Sequence, residues 1–381
     1  MRMVRLTMRK FLVQWVEFYM FFKNHMIRMR KEGVERCMQH TIIEQITNLE
    51  RGRTAPHCEI PRAAEAAIQN MKENMRFGTP AIFLVVRCWN KDRNAMEQFL
   101  QKVKRMKEHM PKLAGVFLSI NKNTEGGDIN NQTEVAALDV TKNLTDVPIV
   151  PLGIIGYTWT AGLNAPAAVA HMFAQEVQVD ESNIVLLNQS FDIEMDDENL
   201  QKMSQRLAAG QLAPTVRIEK GRLELKHLSQ ALGSLQELLL NQVPSEEVLS
   251  YIRRHPEMLR LLRNTNAAHR LDDLVALGGF NPVTNSYGGM EDHEFLIRFL
   301  LYLKQTDRAR LRMVLDTLFS EDAYVTYQDL AWDGLLFGKK LKKLMREKNA
   351  NSLIATLIAS LKESSTYAVP LSERDFAFRS S

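Results

Sequence analysis

The run Gly288-Gly289-Met290-Glu291-Asp292-His293-Glu294-Phe295 sets two carboxylates directly behind a glycine pair. A glycine turn lets backbone come close to a bound molecule, and an Asp at the start of the following helix can take a proton from an attacking hydroxyl. The pair has a second reading, because acidic residues favour a helix N-terminus through the helix dipole whether or not chemistry occurs there. His293 beside it is a candidate ligand for a metal or a phosphate, or a packed or solvated side chain.

Such a site needs a scaffold, and the composition allows one. The chain has 381 residues, 45% of them hydrophobic and 25% charged, which suits an ordinary folded protein rather than a disordered one. A formal net charge of +4 is too small an excess to point to nucleic acid, and none is expected as a partner. Cys37, Cys58 and Cys88 are far apart and form no metal-binding pair, so a reducing, cytoplasmic setting is expected. No segment has the roughly 18–20 uninterrupted apolar residues of a spanning helix. The first 31 residues combine an aromatic stretch, Phe11 to Phe22, with flanking Arg and Lys, and no small-residue cleavage site follows. That stretch is expected to pack on the protein or to lie peripherally on an anionic membrane surface.

The elements that would position the acidic pair can be traced along the chain. Residues 1–76 read as a helical extension, with Ile42, Ile43, Ile46 and Leu49 at helical spacing and Pro61 opening a further helix. The pattern then changes to short continuous apolar runs, as expected of strands buried on both faces: 80–86, 113–120, 147–150 and 184–187. Between them lie helical patterns, such as Met96, Phe99, Leu100 and Val103, and later Leu200, Met203 and Leu207. This alternation predicts an α/β fold with a mostly parallel sheet flanked by helices, and functional groups at the carboxyl ends of the strands. The expected division is a helical extension at 1–76, a sheet-centred domain at 77–305, and a helical C-terminal region at 306–381 ending in a loose tail.

Gly278-Gly279-Phe280, followed after a short spacing by Gly288-Gly289-Met290-Glu291-Asp292, resembles the late region of family-2-like GT-A glycosyltransferases. The resemblance spans roughly residues 80–303; its late motifs are specific, whereas the early part rests on strand order. It implies a GT-A (Rossmann-like) fold and transfer of a sugar, with inversion, from a nucleotide-sugar donor to a hydroxyl of a glycan or lipid-linked acceptor. By the family pattern Asp292 is the catalytic base, and Glu291, with Gly288 and Gly289, meets the acceptor. On the donor side the resemblance points to Arg87 and Asn90 after the first strand and Asn121 after the second. It also points to Asn164 in the turn leading into the Ala-rich helix, and to Asn188 and Ser190 at the end of the fourth strand.

The chain departs from that family in one place that bears on cofactors. An Asp-x-Asp pair usually ends the fourth strand there and holds manganese or magnesium against the diphosphate. Here the residues are Asn188-Gln189-Ser190, whose neutral oxygens hold such hard cations more weakly. Asp192 is a possible substitute ligand, although Asp192, Glu194, Asp196 and Asp197 equally suit a solvated helix entrance. Weak stimulation of donor binding by divalent metal is therefore expected. The alternative to an active enzyme is a GT-A-like domain that binds a nucleotide sugar, a glycan or a partner protein without turnover. A sugar nucleotidyltransferase would need a glycine-rich loop after the first strand, where Arg87-Cys88-Trp89-Asn90 has no glycine.

Overall fold

The computed structural model describes residues 40–42, 57–77, 80–122, 131–141, 146–157, 159–191, 197–208, 216–218, 225–241, 243–255, 268–280, 291–319, 325–327 and 376–379. The strands in chain order are β1 (His40–Ile42), β2 (His57–Glu59), β3 (Ala81–Cys88), β4 (Leu113–Asn121) and β5 (Ile149–Ile155). They continue as β6 (Ile184–Ser190), β7 (Val216–Ile218), β8 (Ala268–Arg270), β9 (Val325–Tyr327) and β10 (Phe376–Arg379). The helices are α1 (Glu65–Phe77), α2 (Arg93–His109), α3 (Gln132–Thr141), α4 (Trp159–Val177) and α5 (Asp197–Ala208). After these come α6 (Leu225–Leu240), α7 (Ser245–Arg254), α8 (Leu271–Ala276), α9 (Glu291–Thr306) and α10 (Arg308–Phe319).

The body of the protein is a mixed sheet of six strands in the order β2-β5-β4-β3-β6-β8, extended beyond β2 by β10 and β1. The four apolar runs form its parallel centre, with β3 hydrogen-bonded to β4 and β6, and β4 to β5. Ile82–Val86 and Ile184–Leu187 are direct neighbours, as a single sheet requires. The outer strands β2 and β8 run antiparallel to β5 and β6. Counted along the chain, the parallel strands lie in the order 3-2-1-4, the first half of a doubly wound sheet. The order reverses between β3 and β6, and a crevice opens beyond the carboxyl ends of strands at such a point.

Each face of the sheet carries its own core because side chains alternate along a strand. Ile82, Leu84 and Val86 of β3 pack with α2, α3 and α5. Phe83 and Val85 pack on the opposite face with α1 and α4, and the same apolar cluster reaches α6 to α10. α1 and α10, which lie outside the expected 77–305 domain, thus share this core rather than forming cores of their own.

Several local expectations differ from the structure for non-local reasons. β5 continues through Pro151-Leu152-Gly153-Ile154-Ile155, where glycine and proline suggested a turn after Val150. Pro151 is accommodated because β2 pairs only with Gly153–Ile155, so the missing N–H falls outside that ladder. His40–Ile42 is strand rather than helix, and Phe376–Arg379, expected in the loose tail, pairs with both β1 and β2. Residues 328–375 of the helical C-terminal region expected at 306–381, and residues 1–31, lie outside the described residues. Among the described residues no helix is long and apolar enough to cross a membrane.

His269 in β8 is fully buried, edge-on to Phe280, Phe295 and Phe299 at centroid distances of 6.1, 4.8 and 6.2 Å. Burial, reinforced by the nearby Arg310 charge, lowers its pKa from 6.5 to about 3. An unfolded histidine takes up a proton below about 6.5, which the folded site refuses, so protons favour the unfolded chain in this window. Stability should fall by about 1.4 kcal/mol per pH unit as the pH drops below about 6. Denaturant titrations of wild type and His269→Leu should show the variant losing that part of the acid slope. Equal slopes would show that His269 is not excluded from protonation.

Candidate functional site

The carboxyl ends of the central strands collect polar side chains on one face. Val85, Phe117 and Leu186 point into the α4 core, so Arg87, Ser119 and Asn188, two residues further on, share that face. Asn121 and Ser190 follow by the same alternation. Arg87 stands opposite Ser119 in β4 and opposite Ser190 in β6, which makes a row Ser190–Arg87–Ser119 across the point where strand order reverses. Ser119 and Asn188 are buried, whereas Arg87, Asn121 and Ser190 are half-buried.

Helix α4 begins over this row. The Arg87 guanidinium lies 4.9 Å from the centre of the Trp159 ring, within the range of a cation–π contact. Trp159 is edge-on to Trp89 at 6.2 Å and to Tyr157 at 6.4 Å. Both tryptophans keep over a third of their surface exposed, 36% for Trp89 and 38% for Trp159, which is unusual for such large rings and leaves apolar surface beside the strand ends. The turn leaving β3 is shaped by Asn90, whose φ of 51° lies in the left-handed region that asparagine tolerates. It is tied down by the Lys91 N–H, which donates to Thr133 Oγ1 at 2.9 Å, and by Asp92, which caps α2.

A proline explains how α4 is fastened to the sheet. Pro166 lies inside the helix and has no N–H to offer the Gly162 carbonyl four residues earlier. The Ser119 hydroxyl donates to that carbonyl at 2.7 Å instead. Gly162 carries no side chain where the Tyr157 hydroxyl sits, so the helix can approach closely. One position further from the row, Lys122 is committed to an ion pair with Glu134, and its stem fills the space above Gly153.

The Gly278-Gly279-Phe280 turn is locked to α4 and α9. Gly278 and Gly279 have φ of 69° and 73°, a conformation that favours glycine. The Asn164 side chain donates from Nδ2 to the Phe280 carbonyl and accepts the Phe280 N–H on Oδ1, each at 2.8 Å. A Cβ at Gly279 would collide with that amide oxygen. On the other side, buried Arg298 donates to the Gly279 carbonyl at 2.7 Å, to the Leu277 carbonyl, and to both oxygens of buried Glu294 at 2.9 and 3.0 Å.

These ties also orient α9. Phe299 faces Arg310, which holds Asp273 of α8, and α8 packs on the 181–183 turn at the amino end of β6. One turn earlier Phe295 stacks on Phe280, 4.5 Å between centres. The first turn of α9, with Glu291 and Asp292, therefore lies at the end of the helix away from Arg310 and α8. Gly288, Gly289, Asp192 and the side chains of Glu291, Asp292 and His293 lie outside the described residues.

The structure thus brings Arg87, Asn121, Asn188 and Ser190 to one face at the carboxyl ends of β3, β4 and β6 and places Asn90 in the turn after β3. Asn164, expected at the donor, is 1% exposed with its amide engaged at both ends by Phe280. Ser119, Trp89, Trp159 and Arg298 were missed as site residues, although the parity of Ser119 with Arg87 and the proline four residues after Gly162 were signals in the sequence. The donor atoms at the end of β6 do not fit a divalent ion of the usual kind, since Asn188 and Ser190 offer only amide and hydroxyl oxygens. Among the described residues no group of three or more His, Cys, Asp or Glu side chains could hold a metal. Compared with known proteins, the chain matches no protein-family model and no curated protein.

Proposed function

We propose that the chain is a GT-A-like glycosyltransferase that takes a nucleotide-sugar donor across the carboxyl ends of β3, β4 and β6. It would act on a hydroxyl of a glycan or lipid-linked acceptor. The observation that carries this reading is the link that α4 makes between two features. A polar row lies at the point of strand-order reversal, and the glycine turn before the acidic pair is fastened to the helix covering that row. Sheets of this order bind nucleotides at that point.

The reaction needs few groups. Asp292 takes the acceptor proton as the acceptor oxygen bonds to the anomeric carbon. The bond from that carbon to the donor phosphate oxygen breaks, and its electron pair leaves with the nucleoside diphosphate. Arg87, Asn188 and Ser190 bind the departing group, Asn90 and Asn121 lie towards the nucleoside, and Glu291 holds acceptor hydroxyls. Asn164 acts at one remove, by fixing the turn that leads to the acidic helix.

Titration of the full chain with uridine and guanosine diphosphates and their hexose derivatives, by calorimetry with and without manganese, tests the proposal. One nucleotide class should bind, and its sugar derivative should release the diphosphate when acceptor is supplied. Absence of binding under both conditions would remove the enzyme reading and the donor-binding alternative together.

A further inference from the structure

Building on that donor reading, we infer that the Arg87 guanidinium holds the departing diphosphate in place of a divalent cation, so that the site works without metal. Arg87 occupies the middle of the Ser190–Arg87–Ser119 row, on β3, one of the two strands between which the strand order reverses. Its charge is held in position before any ligand arrives. The guanidinium stacks on Trp159 at 4.9 Å, and Trp159 is itself flanked by Trp89 and Tyr157. A planar guanidinium presents paired donors that match two phosphate oxygens, and it remains charged at every pH the protein would meet.

The surrounding charges agree with an anion rather than a cation as guest. Described carboxylates near the strand ends are already engaged: Glu134 by Lys122, Asp139 by Arg93, and Asp92 as the cap of α2. Two ammonium groups lie against Phe191, which follows Ser190 but packs with α2 on the opposite face of the sheet. Lys91 Nζ lies 4.6 Å from the centre of its ring, and Lys102 Nζ donates to its carbonyl at 3.2 Å. A divalent ion placed beside Arg87, with only Asn188 and Ser190 as oxygen donors, would meet repulsion without an offsetting carboxylate. A diphosphate placed there would be attracted by the guanidinium.

The test uses the full chain and its tryptophan fluorescence, to which Trp159 against the guanidinium and Trp89 beside that ring contribute. Uridine and guanosine diphosphates are titrated in EDTA and in manganese, beside the nucleosides that lack phosphate. Wild type should bind one diphosphate equally well in both media. Arg87→Met should weaken that binding by about 10- to 100-fold while leaving nucleoside binding unchanged, as expected for loss of charge-assisted bonds. Ser190→Asp, at a half-buried strand end, should weaken diphosphate binding in EDTA and recover it with manganese, because a carboxylate both repels phosphate and invites the metal. This variant decides the matter if Arg87→Met fails to fold, which its melting curve would reveal. Wild-type binding that appears only with manganese would overturn the inference and leave the donor reading standing. Equal diphosphate affinity in Arg87→Met, or unchanged EDTA affinity in Ser190→Asp, would overturn it as well. If neither diphosphate binds wild type in either medium, the donor reading falls, and this inference falls with it.

Discussion

Asp292→Asn should lower sugar-transfer turnover by about 10²- to 10⁴-fold while leaving donor affinity and the melting temperature near their wild-type values. That range is the usual contribution of a positioned acid or base. The amide is almost the same shape as the carboxylate, so lost activity would report lost basicity rather than a cavity. Asp292 belongs to the first turn of α9, where a purely structural role would be support of the helix start through charge or capping. Asparagine also caps helices well, so on that account the substitution should cost less than about 1 kcal/mol of stability and leave any activity intact. Glu291→Gln separates the neighbouring role: loss of an acceptor contact should raise the acceptor KM as well as slow turnover. Steady-state kinetics with donor and acceptor varied independently provide the measurement. Transfer by Asp292→Asn at close to the wild-type rate would remove the catalytic assignment.

Arg298→Met should destabilise the protein by about 3–5 kcal/mol, the typical cost of breaking a buried ion pair from one side. The Arg298 and Glu294 side chains are 9% and 0% exposed. Removing the guanidinium leaves the Glu294 carboxylate buried without its partner and takes donors from the Leu277 and Gly279 carbonyls. The double variant Glu294→Gln, Arg298→Met should recover part of the loss, because a neutral amide is cheaper to bury than a charge. It should not recover all of it, since the two carbonyls still lack the guanidinium. Urea unfolding of the four proteins in this cycle measures the coupling. Singles and double that differ from wild type by less than about 1 kcal/mol, the level of an exposed pair, would show that the pair is solvated and does not brace the turn. The same variants bear on function through the turn alone, because Arg298 is bonded to 277–279 and stands two turns from Glu291. A surviving fold with impaired turnover and normal donor affinity would place the effect on the acidic helix.

Much of the scaffold was legible in the residue order. The buried strands at 80–86, 113–118 and 184–187 appear as unbroken apolar runs because both faces of a central parallel strand are covered, and no polar position is required. Helices α2 and α5 show their apolar face at three- to four-residue spacing because each is covered on one side only. The glycines at 278 and 279 were legible for a similar reason, since a left-handed backbone selects glycine locally. All of these are requirements that a residue and its near neighbours satisfy by themselves.

The spatial order of strands, the added strands at His40–Ile42 and Phe376–Arg379, and the partners of polar side chains were decided only by the tertiary structure. A polar residue looks the same in sequence whether it meets solvent, a ligand or a carbonyl more than a hundred positions away. Asn164 could be read as a donor contact until its amide was found on the Phe280 backbone, 116 residues later in the chain. Arg298 gave no signal because its targets are backbone carbonyls, which every sequence has. Arg87 became central only when β3 was placed between β4 and β6, since the neighbours that turn a lone cation into part of a row come from separate segments of the chain. Local preference set the elements, and the covering of apolar faces by distant segments determined which polar groups would meet.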